Sequence, residues 1–245
     1  MKPYATIGNI VIYHGDSREI APGLVYDCVV SDPPYGIAYN REETPQEKHR
    51  FDHRRQVAAV HGDDAPFDPS PWIDRPAILW GANCYAHALP PNPGWLAWDK
   101  VTCNGLALRI AEVEFAWTNC VRRPQCFRYL WSGAYRKEER GDFLHPTQKP
   151  VALMAWCISL VRPVPKVILD PFMGSGSTLE AAARDGFTAI GIELEERYCE
   201  IAARRLEQGN LFADIAAGGS TEETPMTKCH EHELKGALAG SKVLP

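Results

Sequence analysis

No apolar run in this chain is long enough to cross a bilayer. The longest, residues 151–161, is interrupted by Ser159 and falls short of the roughly 20 residues a spanning helix needs. The first nine residues have no apolar h-region, which predicts no secretory signal and a cytoplasmic setting. Eight cysteines lack paired spacing and read as reduced thiols rather than a disulfide framework. Zinc spacing is missing too: Cys229-His230-Glu231-His232 has no second cluster, and neither Cys120 nor Cys126 has a fitting partner, so no metal site is expected. Positive charge is scarce overall, with a net charge of -5, which by itself argues against nucleic-acid binding. The deficit is uneven. Residues 206–245 hold three Lys/Arg against six Asp/Glu, while residues 119–149 hold seven against three.

What is present suits a single large soluble domain: 245 residues, 45% hydrophobic and 23% charged. Apolar or β-branched runs at 9–13, 27–31, 77–80, 95–98, 112–117, 167–169 and 188–192 read as strands. They alternate with helix-like segments, the pattern of a mostly parallel sheet with helices on both faces. Pro150 in the favoured first-turn position predicts a helix with Leu153, Met154, Cys157 and Leu160 on one face. Ser177 and Glu180 have the spacing of a capping box, opening a helix over 178–184 that Gly186 stops. A third helix is expected over 195–207. Residues 41–61, charged and aperiodic, read as a mobile loop, and residues 209–245 as a disordered tail after a domain of residues 1–208.

Two segments carry chemistry. Asp170-Pro171-Phe172-Met173-Gly174-Ser175-Gly176 follows a strand and opens a helix, so backbone amides there are open to a ligand. No lysine stands where a phosphate loop requires one, and Leu179 takes the place of the third glycine of a dinucleotide fingerprint. A Gly-X-Gly turn for a nucleoside without pyrophosphate remains. Glu193 ends the next strand, where a carboxylate accepts hydrogen bonds from ribose hydroxyls. Asp32-Pro33-Pro34-Tyr35 also follows an apolar strand. Its two prolines remove two N–H donors, leaving a carboxylate and carbonyls as acceptors beside an aromatic ring. Such a cluster suits an exocyclic amino group on a planar base.

Together with His145-Pro146-Thr147-Gln148-Lys149-Pro150, these motifs resemble the S-adenosylmethionine-dependent DNA amino-methyltransferases. Their order, catalytic motif first and glycine motif last, resembles the circularly permuted beta group over residues 10–207. The resemblance implies a permuted Rossmann-like methyltransferase fold with a small target-recognition insertion at about 119–144. It implies S-adenosyl-L-methionine as cofactor, double-stranded DNA as partner and direct in-line methyl transfer to a flipped-out base. By the same resemblance Asp32 and the Pro33 carbonyl take the amino hydrogens, Pro34 stiffens the turn and Tyr35 stacks on the base. Phe172 lies against the cofactor's adenine and Glu193 holds its ribose. Asp170, Gly174, Gly176, Thr147 and Lys149 shape the methionine end. Asp16 falls where the family places an acid near the adenine, although Gly15-Asp16-Ser17 reads equally as a turn or helix cap.

Arg122, Arg123, Arg128, Arg136 and Lys137, interleaved with Phe127, Tyr129, Trp131 and Tyr135, are expected to meet DNA phosphates and bases. No cysteine follows a proline, which removes the thiolate of ring-carbon cytosine methylation. N6 of adenine is favoured because the tetrapeptide begins with Asp. The alternatives are N4 of cytosine, then RNA or protein amide methylation, then an inactive DNA-binding module. A cognate restriction endonuclease and a monomer or homodimer both fit the sequence.

Overall fold

The computed structural model describes residues 2–37, 62–91, 94–100, 111–132, 135–136 and 148–217, with side chains in the last stretch described through Gly209. The strands are β1 (Ala5–Ile7), β2 (Ile10–His14), β3 (Cys28–Ser31), β4 (Ala77–Trp80), β5 (Trp95–Asp99) and β6 (Val113–Thr118). Then come β7 (Gln125–Arg128), β8 (Trp131–Ser132), β9 (Tyr135–Arg136), β10 (Val167–Asp170) and β11 (Thr188–Glu193). Helices are α1 (Ser17–Ile20), α2 (Val151–Leu160), α3 (Ser177–Arg184) and α4 (Glu196–Ala217).

Nine strands form one sheet in the order β1-β2-β11-β10-β3-β4-β6-β5-β7. From β2 to β4 every pairing is parallel. The central strands β3 and β4 are buried along their whole length, as their unbroken apolar sequences require of strands covered on both faces. β6 enters antiparallel between β4 and β5, and β7 lies parallel to β5 at the edge. β1 folds back on β2 through Gly8-Asn9, with Gly8 at φ 58°. The sheet is mostly parallel, as expected. β8 and β9 pair separately as a small hairpin.

The two faces are covered unequally. Leu153, Met154 and Cys157 of α2, Leu179 and Ala181 of α3, and Cys199, Ala202 and Leu206 of α4 pack against Ile10, Val30, Ile78 and Trp98. On the other face Ile20 of α1 and Trp72 of a short 3-10 turn pack against Val29, Leu79, Leu169 and Ile190.

Three local expectations change. Pro150 is the N-cap of α2, with extended ψ of 139°, one position before the first turn. The capping box does not form: Gly176, left-handed at φ 82°, is the N-cap of α3, which draws Ser177 into the helix. Glu180 instead bonds Arg184 and, at 2.5 Å, Arg205 of α4. Finally, the tail expected from residue 209 begins as helix, since α4 runs through Gly209 to Ala217. The chain divides into units Met1–Gly209 and Asn210–Pro245. Residues 41–61 and the Cys229–His232 cluster lie outside the described residues. Among the described residues no helix is long and apolar enough to cross a membrane, and no group of three His, Cys, Asp or Glu could hold a metal ion.

Gly176 is held by more than its φ, because a Cβ there would meet Ala202 Cβ at 2.9 Å. Gly176→Ala is expected to cost about 1–2 kcal/mol and lower the melting temperature by several degrees. Gly209→Ala, in open space within a helix, should leave it unchanged or raise it. Equal melting temperatures for Gly176→Ala and the native chain would contradict this turn geometry.

Candidate active site

Because β2, β11, β10, β3 and β4 run parallel, their carboxyl ends share one edge of the sheet. Asp32 follows β3, Gly81 follows β4, the glycine turn follows β10, Glu193 ends β11 and Asp16 lies just beyond β2. Both sequence motifs therefore arrive at the same edge.

Lys149 joins the polar groups of the Asp32–Tyr35 motif. Its Nζ lies 2.5 Å from Asp32 Oδ2, 3.0 Å from the Tyr35 hydroxyl and 3.1 Å from Glu114 Oε2. Two of the three ammonium donors are hydrogen-bonded, to Asp32 and Tyr35, and Glu114 Oε2 stands at ion-pair distance. The Tyr35 hydroxyl in turn donates to Asp32 Oδ1 at 2.6 Å. Glu114, the second residue of β6, also pairs with Lys100, just past β5, whose ammonium lies 4.9 Å from the Trp98 ring centroid. Two lysines and two carboxylates thus alternate from β5 across to the end of β3. Lys149, expected at the methionine end of the cofactor, is placed on Asp32.

Burial raises the Asp32 carboxyl above its ordinary value against the pull of Lys149. Burial alone would lower Lys149, but Asp32 and Glu114 outweigh it and raise the ammonium. Burial would raise Glu114, yet Lys149 and Lys100 hold it below the usual range. The Tyr35 phenol is pushed well up by burial and then by both carboxylates.

Glycine makes room for the ring. A Cβ at Gly81 would stand 1.9 Å from Tyr35 Cε1, so the tyrosine lies on bare backbone. Asp63 accepts the Gly36 and Ile37 amides at 2.8 and 3.3 Å, pinning the chain just after the motif.

The second motif is organised around two acids. Glu193 accepts the Gly174 amide at 3.0 Å and the Glu195 amide at 2.8 Å, which aims its carboxylate across the glycine turn. Burial raises its carboxyl, partly offset by those amides. Asp170 is buried and accepts the Ser31 hydroxyl at 2.6 Å and the Phe172 amide at 3.2 Å, so it ties the residue before Asp32 to the glycine turn. Phe172 packs edge-on against Phe67 and Trp72 at 5.6 and 5.4 Å between centroids.

Asp16 caps α1 through the Arg18 amide at 2.8 Å and pairs with the Arg18 guanidinium. It remains near Glu193, because Gly15 N donates to the Glu193 carbonyl at 2.9 Å. Arg122, Arg123 and Arg128 are exposed, and Arg128 lies 3.7 Å from Asp99. Three of the interleaved rings pack into the core: Phe127 stacks on Tyr129 and on Trp156 of α2, and Tyr129 and Trp131 are buried. For Tyr135 only the backbone is described. For Arg136 only the backbone is described, while Lys137, His145 and Thr147 lie outside the described residues. Trp80 and Trp98 are core residues, edge to face at 6.4 Å.

The N6/N4 DNA methylase family pattern matches residues 107–204. Type II methyltransferase M2.LlaDCHI of Lactococcus lactis subsp. cremoris is 41% identical, over 86% of this chain and 94% of that protein. This chain belongs to the N6/N4 DNA methylase family. Type II methyltransferase M.ScaI of Streptomyces caespitosus is 27% identical over 84% of each chain. The solved PvuII DNA methyltransferase (cytosine-N4-specific) shares the fold at 16% identity and a TM-score of 0.54, over 89% of this chain and 96% of that one. The DNA methylase uses S-adenosyl-L-methionine. The site fits that cofactor: Glu193 is an acceptor carboxylate at the sheet edge, Phe172, Phe67 and Trp72 form an apolar wall, and the glycine turn carries no phosphate-binding lysine.

Asp170 provides a pH test. Burial, partly offset by its hydrogen bonds, pushes its carboxyl from an ordinary 3.8 up to about 6. The folded protein then holds this proton more tightly than the unfolded chain, so the Asp170 contribution to stability falls as pH rises from about 4 to about 6. Across that window the melting temperature of the native protein should decline relative to Asp170→Asn. A constant difference from pH 4 to 7 would contradict the burial of this acid.

Proposed function

We propose that this DNA methylase transfers a methyl group to N6 of adenine in double-stranded DNA, with the base turned out of the helix. The arrangement that carries this reading is the anionic acceptor Asp32, followed by two prolines that donate nothing, at the edge shared with the glycine turn. An exocyclic amino nitrogen is a poor nucleophile, since its lone pair is conjugated into the ring. Asp32 and the Pro33 carbonyl accept its two hydrogens and favour pyramidalisation, stabilising positive charge as it develops. Pro34 fixes the turn, and Tyr35, lying on Gly81, offers its ring to the base. S-adenosyl-L-methionine supplies an electrophilic methyl group. Glu193 accepts the ribose hydroxyls, Phe172 lines the adenine pocket and Asp16 lies at its rim. Gly174 and Gly176, both at positive φ, bend the backbone at the methionine end, and Thr147 is assigned to that end by the family resemblance. Asp170 holds the two motifs in register, and Lys149 holds Asp32.

Arg122, Arg123 and Arg128, exposed beside β7, suit phosphate contact, and Arg136 and Lys137 follow in the same segment. The type II names of the relatives support a setting in bacterial restriction and modification, in the cytoplasm beside a cognate endonuclease.

Transfer of labelled methyl from S-adenosyl-L-methionine to unmethylated DNA, followed by nucleoside analysis, tests the reading. The label is expected in N6-methyladenine and should vanish with Asp32→Ala while cofactor binding persists. Label in N4-methylcytosine would overturn the choice of base, and label carried equally by Asp32→Ala would overturn the site.

A further inference from the structure

Lys149 alone leaves Asp32 with a difficulty. A buried ammonium at 2.5 Å competes directly with a weak neutral amine for the same carboxylate. If the pair were exclusive, Asp32 would be a poor acceptor. It is not exclusive: Glu114 stands on the far side of Lys149, and Lys100 balances Glu114 in turn. Lys149 and Lys100 are both buried, and the side chain of Glu114 is largely so. In so dry a setting an unpaired charge would be costly, and the division of one cation between two anions has a large effect.

We propose that Glu114 is a positioning residue that shares the Lys149 ammonium with Asp32 and thereby sets how strongly Asp32 accepts the amino group of the base. Lys100 tunes the same balance from the opposite end. The inference rests on Asp32 as the amino acceptor and adds two residues from β6 and the end of β5. Among the described residues, the charged and titratable groups around Asp32 are Lys149 and Tyr35 in direct contact, with Glu114, Tyr85 and Asp170 close enough to interact.

The signs are distinctive. In Glu114→Gln the ammonium belongs to Asp32 alone, so Asp32 becomes a weaker base. In Lys100→Gln, Glu114 draws more on Lys149, so Asp32 becomes a stronger one. The first variant should lower kcat roughly ten- to a hundredfold and move the acidic limb of the pH–rate profile down. The second should move that limb up. Cofactor affinity should change in neither. Loosened packing would shift both variants in the same direction.

The experiment is kcat against pH for the native enzyme and both variants with unmethylated DNA. It is paired with 13C NMR titration of the Asp32 carboxyl in the same proteins, which needs no turnover. Opposite shifts of the Asp32 midpoint support the proposal, even if the native enzyme proves silent on DNA, a result that would count against the reaction instead. Unchanged midpoints, or shifts of the same sign in both variants, overturn it.

Discussion

One buried ammonium organises this site. Lys149 faces Asp32, Tyr35 and Glu114, and the two carboxylates are buried enough to need it. Removing one member of a buried ion pair typically costs about 3–5 kcal/mol, because the remaining charge is left without a partner. Asp32, the Tyr35 ring and the acid of β6 are therefore held as a unit. Lys149 itself is fixed by its place immediately before Pro150, whose carbonyl accepts the Leu153 and Met154 amides of α2. A helix start delivers the cation, and three strands deliver the groups it binds or balances.

Sheet topology explains why the two motifs, far apart along the chain, act together. β10 pairs directly with β3, so the residues that follow them emerge side by side. The Ser31 hydroxyl on Asp170 closes the gap at 2.6 Å. Ile168 pairs with Cys28 and Leu169 with Val29, so Ser31 and Asp170 come together where the two strands end. The Asp32 and glycine motifs are thus joined by a hydrogen bond, and the spacing between them follows from the β3–β10 pairing rather than from any flexible linker.

Much of this was legible in the residues. Seven apolar runs gave the central strands, since burial on both faces demands unbroken hydrophobic sequence. The short β1 and the polar, exposed β7 left no such trace, because edge strands bury too little to need one. Ser177 and Glu180 had cap spacing, but the left-handed Gly176 took the capping position and Glu180 found arginines instead. The motif acids and glycines were readable because their chemistry is local. The Lys149 network was not, since Lys149 and Asp32 are 117 residues apart. One signal was available. Alternation along β6 places Glu114 on the same side as buried Ala116 and Thr118, and an inward-facing acid requires a cation.

The claim that Lys149 serves the acceptor rather than the cofactor is open to direct observation. A crystal structure with S-adenosylhomocysteine bound would show where the ammonium goes when the cofactor pocket is filled. Lys149 Nζ is expected to stay within hydrogen-bonding distance of Asp32 and close to Glu114. An ammonium swung onto the carboxylate of the cofactor, with Asp32 released, would contradict it.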